Sequence, residues 1–252
     1  MSSLAEWNAP GAAVPAPKSM LGRIIAVFDA VKESGGCASI TDIALRTALP
    51  KSTVSRLVTE LTAQRYLSRT EEGIVLGLRL FELGARASLP RRLIGAAAPV
   101  IRNLRETTGE RIVLWVQQGD DMVSLAALPG RLPTLPTAAG MRSPALTTAS
   151  GKAYLAFCDD QRIVNRISAP LVDGAARRFR DELTSVRAAA VAMDIEKSYP
   201  GIAAVASPVL SPDRVVLGAI SLAGPSDGMD PFRAAPLVRA ASVSVTRRLA
   251  PA

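Results

Sequence analysis

The sequence predicts an α+β protein with three parts: an N-terminal winged helix-turn-helix, a linker helix, and a C-terminal domain with an antiparallel sheet flanked by helices. Two short helical patterns meet at a proline-marked turn, two β-patterned segments follow around a charged tip, and the remaining chain alternates between helical and hairpin patterns. The expected boundaries are 1–18 for a disordered tail, 19–77 for the winged helix-turn-helix, 78–92 for the linker and 93–252 for the C-terminal domain.

A change in composition separates the tail from the first helix. Residues 1–18 are rich in Ala, Pro and Gly, which predicts disorder, and they lack the basic start and apolar core of a secretory signal. A helix is expected over residues 19–34, ended by Gly35 and Gly36. Its predicted apolar stripe consists of Leu21, Ile24, Ile25, Phe28 and Val31.

The next two helices form a helix-turn-helix pattern across Leu49 and Pro50. In the first, Thr41 or Asp42 lies early enough to cap the helix. The expected stripe is Ile40, Ile43, Ala44 and Ala48. This helix ends before the proline, because the preceding residue is disfavoured in the α region. The inward residues of the second helix are expected to be Val54, Leu57, Val58 and Leu61.

The outward side of the second helix carries small polar and basic side chains, which are types that donate to DNA phosphates and base edges. They are Lys51, Ser52, Thr53, Ser55, Arg56 and Thr59. Two short strands are expected over residues 66–69 and 74–76, with Gly73 in the turn and Arg69 at the base of this wing. A solvated helix is the alternative for this segment alone, but its combination with a wing favours DNA binding.

A further helix is expected over residues 78–88, ended by Pro90. It is too apolar for a solvated spacer. The residues that make it so are Leu78, Leu80, Phe81, Leu83 and Ala85. Two interpretations are open: the linker helix packs on a partner subunit, or it folds back on its own domain.

The C-terminal part alternates between helices and hairpins. A hairpin turn is expected at Asp120 and Asp121, and another at 211–213. A Pro- and Gly-rich segment over 129–144 leads to a loop that feeds a helix. The expected helices are 93–108, 145–157 with its preceding loop, 181–192 and 231–249, and the expected strands are 111–117, 122–128, 202–209 and 215–222.

Composition limits the possible functions. The chain has 252 residues, 48% of them hydrophobic, and a formal net charge of +8, which suits a polyanionic partner but indicates one only weakly. With no histidine, it lacks the usual neutral-pH general base and imidazole metal ligands. Cys37 and Cys158 stand far apart, as expected for reduced thiols. We therefore expect a cytoplasmic protein that is not an enzyme, needs no metal or other cofactor, and does not span a membrane.

Five motifs in order resemble those of the IclR family of bacterial transcription regulators. They are residues 52–57 (STVSRL), 76–84 (LGLRLFELG), 148–153 (TASGKA), 201–209 (GIAAVASPV) and 219–225 (AISLAGP). The resemblance covers most of the chain. It implies a winged-helix domain, a linker helix and an effector domain of GAF/PAS-like architecture. It also implies a dimer, or a dimer of dimers, bound to a palindromic operator.

The segment around Gly151 resembles parts of two enzyme motifs, and both interpretations fail. A phosphate-binding loop needs glycine where Leu146 stands and Ser or Thr where Ala153 stands. A Ser-Lys hydrolase pair would not face each other when two residues apart at a helix start. We expect instead an anion site at the helix start, formed by free amide groups of Ala149, Ser150, Gly151 and Lys152.

The family resemblance implies that this helix start borders an effector. It further implies that Asp194 is an acidic pocket residue and that Ser221 is a pocket serine. It also implies that Ala204 stands where some members carry a polar residue and that Ala223 replaces a second serine. Two such losses of polar groups favour an aromatic or branched acid, whose apolar part would face Trp115 and Leu125. The alternative is that Asp194 caps a turn and Ser221 is an ordinary strand residue.

Together these features predict a ligand-responsive, sequence-specific transcriptional regulator of a catabolic or small-acid metabolism operon. Its expected partners are double-stranded operator DNA, a small organic acid and a second copy of the chain. The alternative is an enzyme, or a ligand-independent DNA-binding protein, that carries a winged helix. The missing histidines argue against an enzyme, and the large second domain argues against a simple DNA-binding protein.

Overall fold

The computed structural model describes residues 17–132, 135 and 137–250. The predicted disordered tail therefore lies, apart from its last two residues, outside the described residues. The described chain divides into two compact units between Ser88 and Leu89.

The N-terminal unit is a winged helix-turn-helix followed by a short helix. Its elements are α1 (Met20–Glu33), β1 (Cys37–Ala38), α2 (Ile40–Thr47), α3 (Lys51–Ala63), β2 (Leu67–Arg69), β3 (Ile74–Leu76) and α4 (Leu78–Gly84). The three strands form an antiparallel sheet in the order β1-β3-β2. The predicted wing strands are confirmed, but β1 was not predicted, because two residues are too few to establish an alternating pattern.

Helix α1 is confirmed, but the prediction of its buried side was partly wrong. The Ser19 hydroxyl accepts a hydrogen bond from the Gly22 amide at its start. Leu21 and Ile25, predicted as inward, are 67% and 49% exposed. The buried residues are Val27, Ala30 and Val31. The helix has apolar residues on two adjoining faces, so packing against α2, α3 and β3 decides which of them is buried.

Helix α2 is capped by Ser39 rather than by Thr41 or Asp42. The Ser39 hydroxyl accepts from the Asp42 amide, and the Asp42 carboxylate accepts from the Ser39 amide, which makes a capping box. Hydrogen bonds from the Ser39 side chain and backbone lower the pKa of Asp42. Ala48 is exposed and left-handed, with φ at 52°, because the chain turns there.

Helix α3 has the predicted apolar side. Val54, Leu57, Val58 and Leu61 are all buried in the core of the N-terminal unit. The helix starts immediately after Pro50, which serves as its N-cap residue. The opposite side of α3 is thereby turned outward.

The prediction that Pro90 ends the linker helix was wrong. Helix α4 stops at Gly84, and a new helix, α5 (Ser88–Thr108), begins before the proline. Pro90 is the third residue of α5, where its missing amide hydrogen costs no intrahelical hydrogen bond. The predicted start of the next helix at residue 93 is therefore five residues late.

The C-terminal unit contains one six-stranded antiparallel sheet in the order β6-β5-β4-β9-β8-β7. Its strands are β4 (Arg111–Gln118), β5 (Asp121–Leu128), β6 (Arg142–Pro144), β7 (Ala192–Ile195), β8 (Ile202–Leu210) and β9 (Val216–Pro225). Its helices, after α5, are α6 (Ala149–Leu155), α7 (Gln161–Ser168), α8 (Asp173–Ala189) and α9 (Pro231–Leu249). Both predicted hairpins and the predicted last helix are confirmed.

Both faces of this sheet are covered. One face packs its alternate side chains, such as Leu114 and Leu222, against α5 and α9. The other face packs Val113, Trp115 and Ala206 against α6 and α8. The α+β class and the antiparallel sheet flanked by helices are confirmed.

Several predicted boundaries in the C-terminal unit were wrong. Helix α8 begins at Asp173, eight residues before the predicted start, and ends at Ala189, where Ala190 turns left-handed and β7 follows. The first hairpin turns at Gly119 and Asp120, because Gly119 adopts a φ of +66°. Strand β6 lies inside the segment predicted as irregular, and neither α7 nor β7 was predicted.

Gly151 allows α6 to lie against the chain that precedes it. A Cβ atom at this position would overlap the carbonyl oxygen and the Cα of Ala145. Both residues are fully or nearly fully buried, so the backbone has little room to move. The glycine is therefore required by packing.

We predict that Gly151→Ala lowers the free energy of unfolding by about 1–3 kcal/mol, since the added methyl group overpacks a buried contact. Gly95→Ala is the matched control, because a Cβ at this exposed position in α5 meets nothing within 4 Å. The control is expected to gain about 0.5–1 kcal/mol from helix propensity. Urea denaturation of both variants is the measurement, and equal effects would contradict the packing argument.

Candidate functional site

The first candidate site is the outward side of α3. Lys51, Ser52, Arg56 and Thr59 are exposed, and Thr53 and Ser55 are half-buried. The first turn of α3 contains no acidic residue, and its N-cap residue provides no side-chain hydrogen bond. This end of the helix therefore combines basic side chains, hydroxyl groups and the positive end of the helix dipole, all of which favour an anion.

The wing extends this surface. Arg69 is exposed at the end of β2, opposite Ile74 in the β2–β3 ladder. Gly73 has a φ of +149°, and a Cβ there would crowd the Cys37 sulfur atom and the Ala38 carbonyl. Glycine at this position therefore lets the end of the wing turn lie against β1.

The second candidate site is a cavity on the α6 side of the six-stranded sheet. Its lining residues are Arg111, Trp115, Leu135, Ser143, Thr148, Ala149, Ser150, Asp194, Tyr199, Ile202, Ala204, Ser221 and Ala223. The cavity volume is about 40 Å³, which is room for a few water molecules. A larger ligand must displace side chains of the wall.

Six of the eight residues predicted to border an effector lie together in this wall. They are Trp115, Ala149, Ser150, Asp194, Ala204 and Ser221. Gly151 is not among the lining residues, because it faces Ala145. Leu125 is also outside the lining, because the register of β4 and β5 shifts between Leu114 and Trp115. This bulge leaves Leu125 as an extra residue, which packs, like Ala126, on the side of the sheet covered by α5 and α9.

The prediction of free amides at the start of α6 was wrong for two of its four residues. The Gly151 amide donates to the Thr148 hydroxyl at 3.4 Å, and the Lys152 amide donates to the Thr148 carbonyl at 3.0 Å. Thr148 is thus the cap of this helix. Lys152 itself is buried and turned away from the cavity, where its Nζ atom pairs with Glu182 Oε1 at 2.9 Å.

Asp194 both lines the cavity and closes a turn. One carboxylate oxygen accepts hydrogen bonds from the amides of Lys197 at 3.0 Å and Ser198 at 3.2 Å, and the other accepts from the Ser198 hydroxyl. Asp194 therefore caps a turn, and its contact with an effector stays a prediction. Its position in the cavity wall is compatible with a second role.

Trp115 and Ser221 are joined by a buried hydrogen bond. Trp115 Nε1 donates to Ser221 Oγ at 2.8 Å, and both residues are at most 5% exposed. Trp115 lies on β4 and Ser221 on β9, which pair directly in the sheet. The bond fixes the indole ring in the cavity wall and uses its only polar atom.

The sequence interpretation missed four polar residues of the wall: Arg111, Ser143, Thr148 and Tyr199. Arg111 is 2% exposed, and burial lowers the pKa of its guanidinium to about 10. Burial also raises the pKa of Tyr199, whereas a hydrogen bond with Ser143 lowers it. The sequence did contain a signal for Arg111: it lies two residues before Val113 and four before Trp115, so strand alternation puts all three on the same face of β4.

The described residues contain no group of three or more His, Cys, Asp or Glu side chains arranged to hold a metal ion. Across the same parts of the chain, no helix combines the length and the apolar character that crossing a membrane requires.

A winged helix-turn-helix joined to a second domain with a cavity of apolar walls and a few polar groups defines a DNA-binding regulator with a ligand-binding domain. Comparison with family models agrees: residues 20–71 match the IclR helix-turn-helix domain, and residues 89–247 match the model described as bacterial transcriptional regulator IclR C-terminal. The chain belongs to the IclR family of bacterial transcriptional regulators. The resemblance inferred from the five motifs is confirmed.

Similar proteins include two that are named as repressors. The HTH-type transcriptional repressor AllR of Escherichia coli K12 is 27% identical over 241 residues, which cover 90% of this chain and 88% of AllR. The acetate operon repressor of Salmonella typhimurium is 25% identical over 219 residues, covering 81% and 79% of the two chains.

Similar solved structures include an IclR homolog from Microbacterium hydrocarbonoxydans that is complexed with 4-hydroxybenzoate. Its TM-score is 0.81 at 24% sequence identity, and the match covers 92% of this chain and 99% of that one. A putative regulator from Silicibacter sp. TM1040 has a TM-score of 0.72 at 26% identity and coverage of 93% and 97%.

We predict that Ser221→Ala lowers the free energy of unfolding by about 1–3 kcal/mol, because it leaves the Trp115 N–H buried without its acceptor. In a double-mutant cycle with Trp115→Phe, the two losses should be non-additive by about 0.5 kcal/mol or more. Denaturation followed by circular dichroism measures each corner of the cycle.

A second double-mutant cycle, with Ser207→Ala in place of Ser221→Ala, is the control. Ser207 is also buried, but its hydroxyl donates to the Ala190 carbonyl at 2.8 Å. Ser207→Ala and Trp115→Phe should be additive. Additivity in both cycles would mean that the indole–hydroxyl bond contributes nothing measurable.

Proposed function

We propose that this chain is a homodimeric regulator that binds operator DNA through α3 and the wing and is controlled by a small organic acid bound in the C-terminal cavity. One observation carries the proposal: α3 buries all four of its predicted apolar side chains and turns its basic and hydroxyl side chains outward. A helix of this kind, next to a β-hairpin, is suited to the major groove.

The exposed residues are assigned different tasks by their chemistry. Lys51 and Arg56 set the position on the DNA backbone, since cationic side chains donate to phosphates. Ser52, Thr53, Ser55 and Thr59 lie nearer the base edges. Arg69 in the wing meets a phosphate or enters the minor groove.

Helix α4 is the proposed contact with a second subunit. None of its residues is buried, and its large apolar side chains Leu78, Phe81 and Leu83 are each more than half exposed. This exposure favours a partner subunit over folding back on the same domain. Two recognition helices related by a two-fold axis would read half-sites about 34 Å apart, or a multiple of that distance, and pairing of dimers would add a further level of assembly.

The cavity residues support an acid with an apolar part as effector. Trp115, Ala149, Ala204 and Ala223 provide apolar surface, and Ser150, Asp194 and Ser221 are among the polar residues of the wall. The neighbouring structure that holds 4-hydroxybenzoate makes aromatic acids sensible probes. Such a regulator would act on DNA in the cytoplasm and control a catabolic or small-acid metabolism operon, without an enzymatic activity of its own.

Ligand binding controls DNA affinity through the arrangement of the dimer. An effector between α6 and the sheet would shift the C-terminal units, and α4 and α5 would transmit this shift to the spacing of the two recognition helices. A coupling free energy of about 1–3 kcal/mol would change DNA affinity about 5- to 150-fold.

The deciding experiment is a gel-shift titration with the DNA upstream of the protein's own gene, with and without a panel of carboxylic acids. Tight, sequence-dependent binding that one acid alters supports the proposal. Sequence-independent binding with a steep salt dependence, unaltered by any acid, would favour the ligand-independent alternative. Turnover of a panel compound would favour the enzyme alternative.

We predict that Arg56→Ala and Lys51→Ala each weaken operator binding and reduce the slope of log affinity against log salt by about one, since each removes a phosphate contact. Lys32→Ala is the matched control, because Lys32 is exposed on α1 and lies outside the proposed surface. Fluorescence anisotropy at several salt concentrations is the measurement. Unchanged slopes in both variants would show that the docking is wrong.

A further inference from the structure

Arg111 places a cationic side chain in the wall of the C-terminal cavity. We propose that Arg111 binds the carboxylate of the effector and makes the cavity selective for monocarboxylates with an apolar body. This inference rests on the proposed function, because it concerns the same cavity, and it assigns the residue that decides which ligands enter.

The position of Arg111 is fixed by the sheet. It is the first residue of β4 and pairs with Ala223 of β9, at the cavity wall. Strand alternation places it on the same face as Trp115, and it is 2% exposed. A guanidinium held in this way is directed at the cavity by the backbone register.

The acidic residue of the wall is already engaged by its own turn. Both carboxylate oxygens of Asp194 accept hydrogen bonds, from the Lys197 and Ser198 amides and from the Ser198 hydroxyl. A guanidinium carries five N–H donors in a planar fork, so Arg111 can keep its contacts within the protein and still donate to a carboxylate.

Two hydroxyl groups lie in the wall with Arg111. Ser143 of β6 and Tyr199, which precedes β8, are hydrogen-bonded to each other and line the same cavity. Hydroxyl groups can both donate and accept, so they can complete the coordination of a carboxylate oxygen. A carboxylate here would also favour the charged form of Arg111, whose pKa burial lowers to about 10.

The remaining wall determines the rest of the ligand. Trp115, Ile202, Ala204 and Ala223 offer apolar surface, and the indole N–H is used by Ser221. The Thr148 hydroxyl donates to the Pro144 carbonyl and lies 3.3 Å from the Ser150 hydroxyl, so both hydroxyl groups already have partners. A second carboxylate or a row of hydroxyl groups would therefore find few free donors there, and burying polar groups without partners is unfavourable. The geometry therefore points to one anionic end and an apolar body, rather than to a dicarboxylate or a sugar acid.

The first test compares acids with their neutral amides on the full-length wild-type protein. The probe pairs are isovalerate with isovaleramide, benzoate with benzamide, and 4-hydroxybenzoate with 4-hydroxybenzamide, measured by calorimetry. We expect at least one acid to bind about tenfold or more tightly than its amide, as a charge-assisted contact implies. An amide that binds as tightly as its acid in every binding pair, or no binding by any acid, overturns the inference.

The second test uses variants. Arg111→Met should weaken binding of the acid about ten- to hundredfold and leave its amide unchanged, and Arg111→Lys should fall between, since lysine keeps the charge but loses the fork. Arg91→Met, an exposed substitution of the same kind in α5, is the control and should bind as the wild type does. Circular dichroism establishes that each variant is folded; if Arg111→Met is not, Arg111→Lys and the wild-type pairs decide.

Operator binding with the same probes separates this inference from the proposed function. If amides release or recruit the operator as well as acids do, the inference fails and the ligand-responsive regulator stands. If an acid binds through Arg111 without changing operator affinity, the inference stands and the proposed control fails. An acid affinity that is unchanged in a folded Arg111→Met protein overturns the inference alone.

Discussion

The alternation of side chains along β4, and along the parts of β8 and β9 that pair in register, is the constraint on which the C-terminal unit depends. Because both faces of the sheet are covered, neighbouring residues on one strand serve different purposes. Ile112 and Leu114 pack under α5 and α9, while Arg111, Val113 and Trp115 face α6 and the cavity. A one-residue slip of β4 would exchange these two sets and put the guanidinium into the apolar layer. The register shift after Leu114 falls on the β5 side of the strand, and the pairing with β9 stays continuous through Trp115.

The polar groups of the cavity are held by neighbours that lie within the same domain. Trp115 is fixed by Ser221 across a strand pair, and Asp194 is fixed by the amides of its own turn. Such groups are costly to bury unless they are hydrogen-bonded. Their burial in a cavity wall, rather than at the surface, is typical of a preorganised binding site. The N-terminal unit uses the opposite arrangement, with polar groups exposed on α3 and the apolar side fully buried.

Sequence patterns predicted best the elements whose periodicity is local and unambiguous. Four apolar residues on one side of α3, and the two hairpins of the C-terminal unit, follow directly from spacing. Patterns failed where tertiary packing or backbone geometry decides. Pro90 lies within the first turn of a helix rather than after its last turn, and Leu125 faces away from the cavity because a β-bulge interrupts the alternation of β5. Six of the eight residues predicted to border an effector lie together in the cavity wall. Arg111 was overlooked, because the sequence interpretation treated its charge as the polar position of an alternating strand.

The position of Trp115 also has a spectroscopic consequence. The chain contains two tryptophans, and the other is Trp7, which lies outside the described residues. In a Trp7→Phe variant, all tryptophan fluorescence would therefore come from Trp115 in the cavity wall. The emission maximum and quenching of that single fluorophore would report the polarity and accessibility of the cavity interior directly. The protein thus carries an intrinsic, label-free indicator of whether its cavity is occupied.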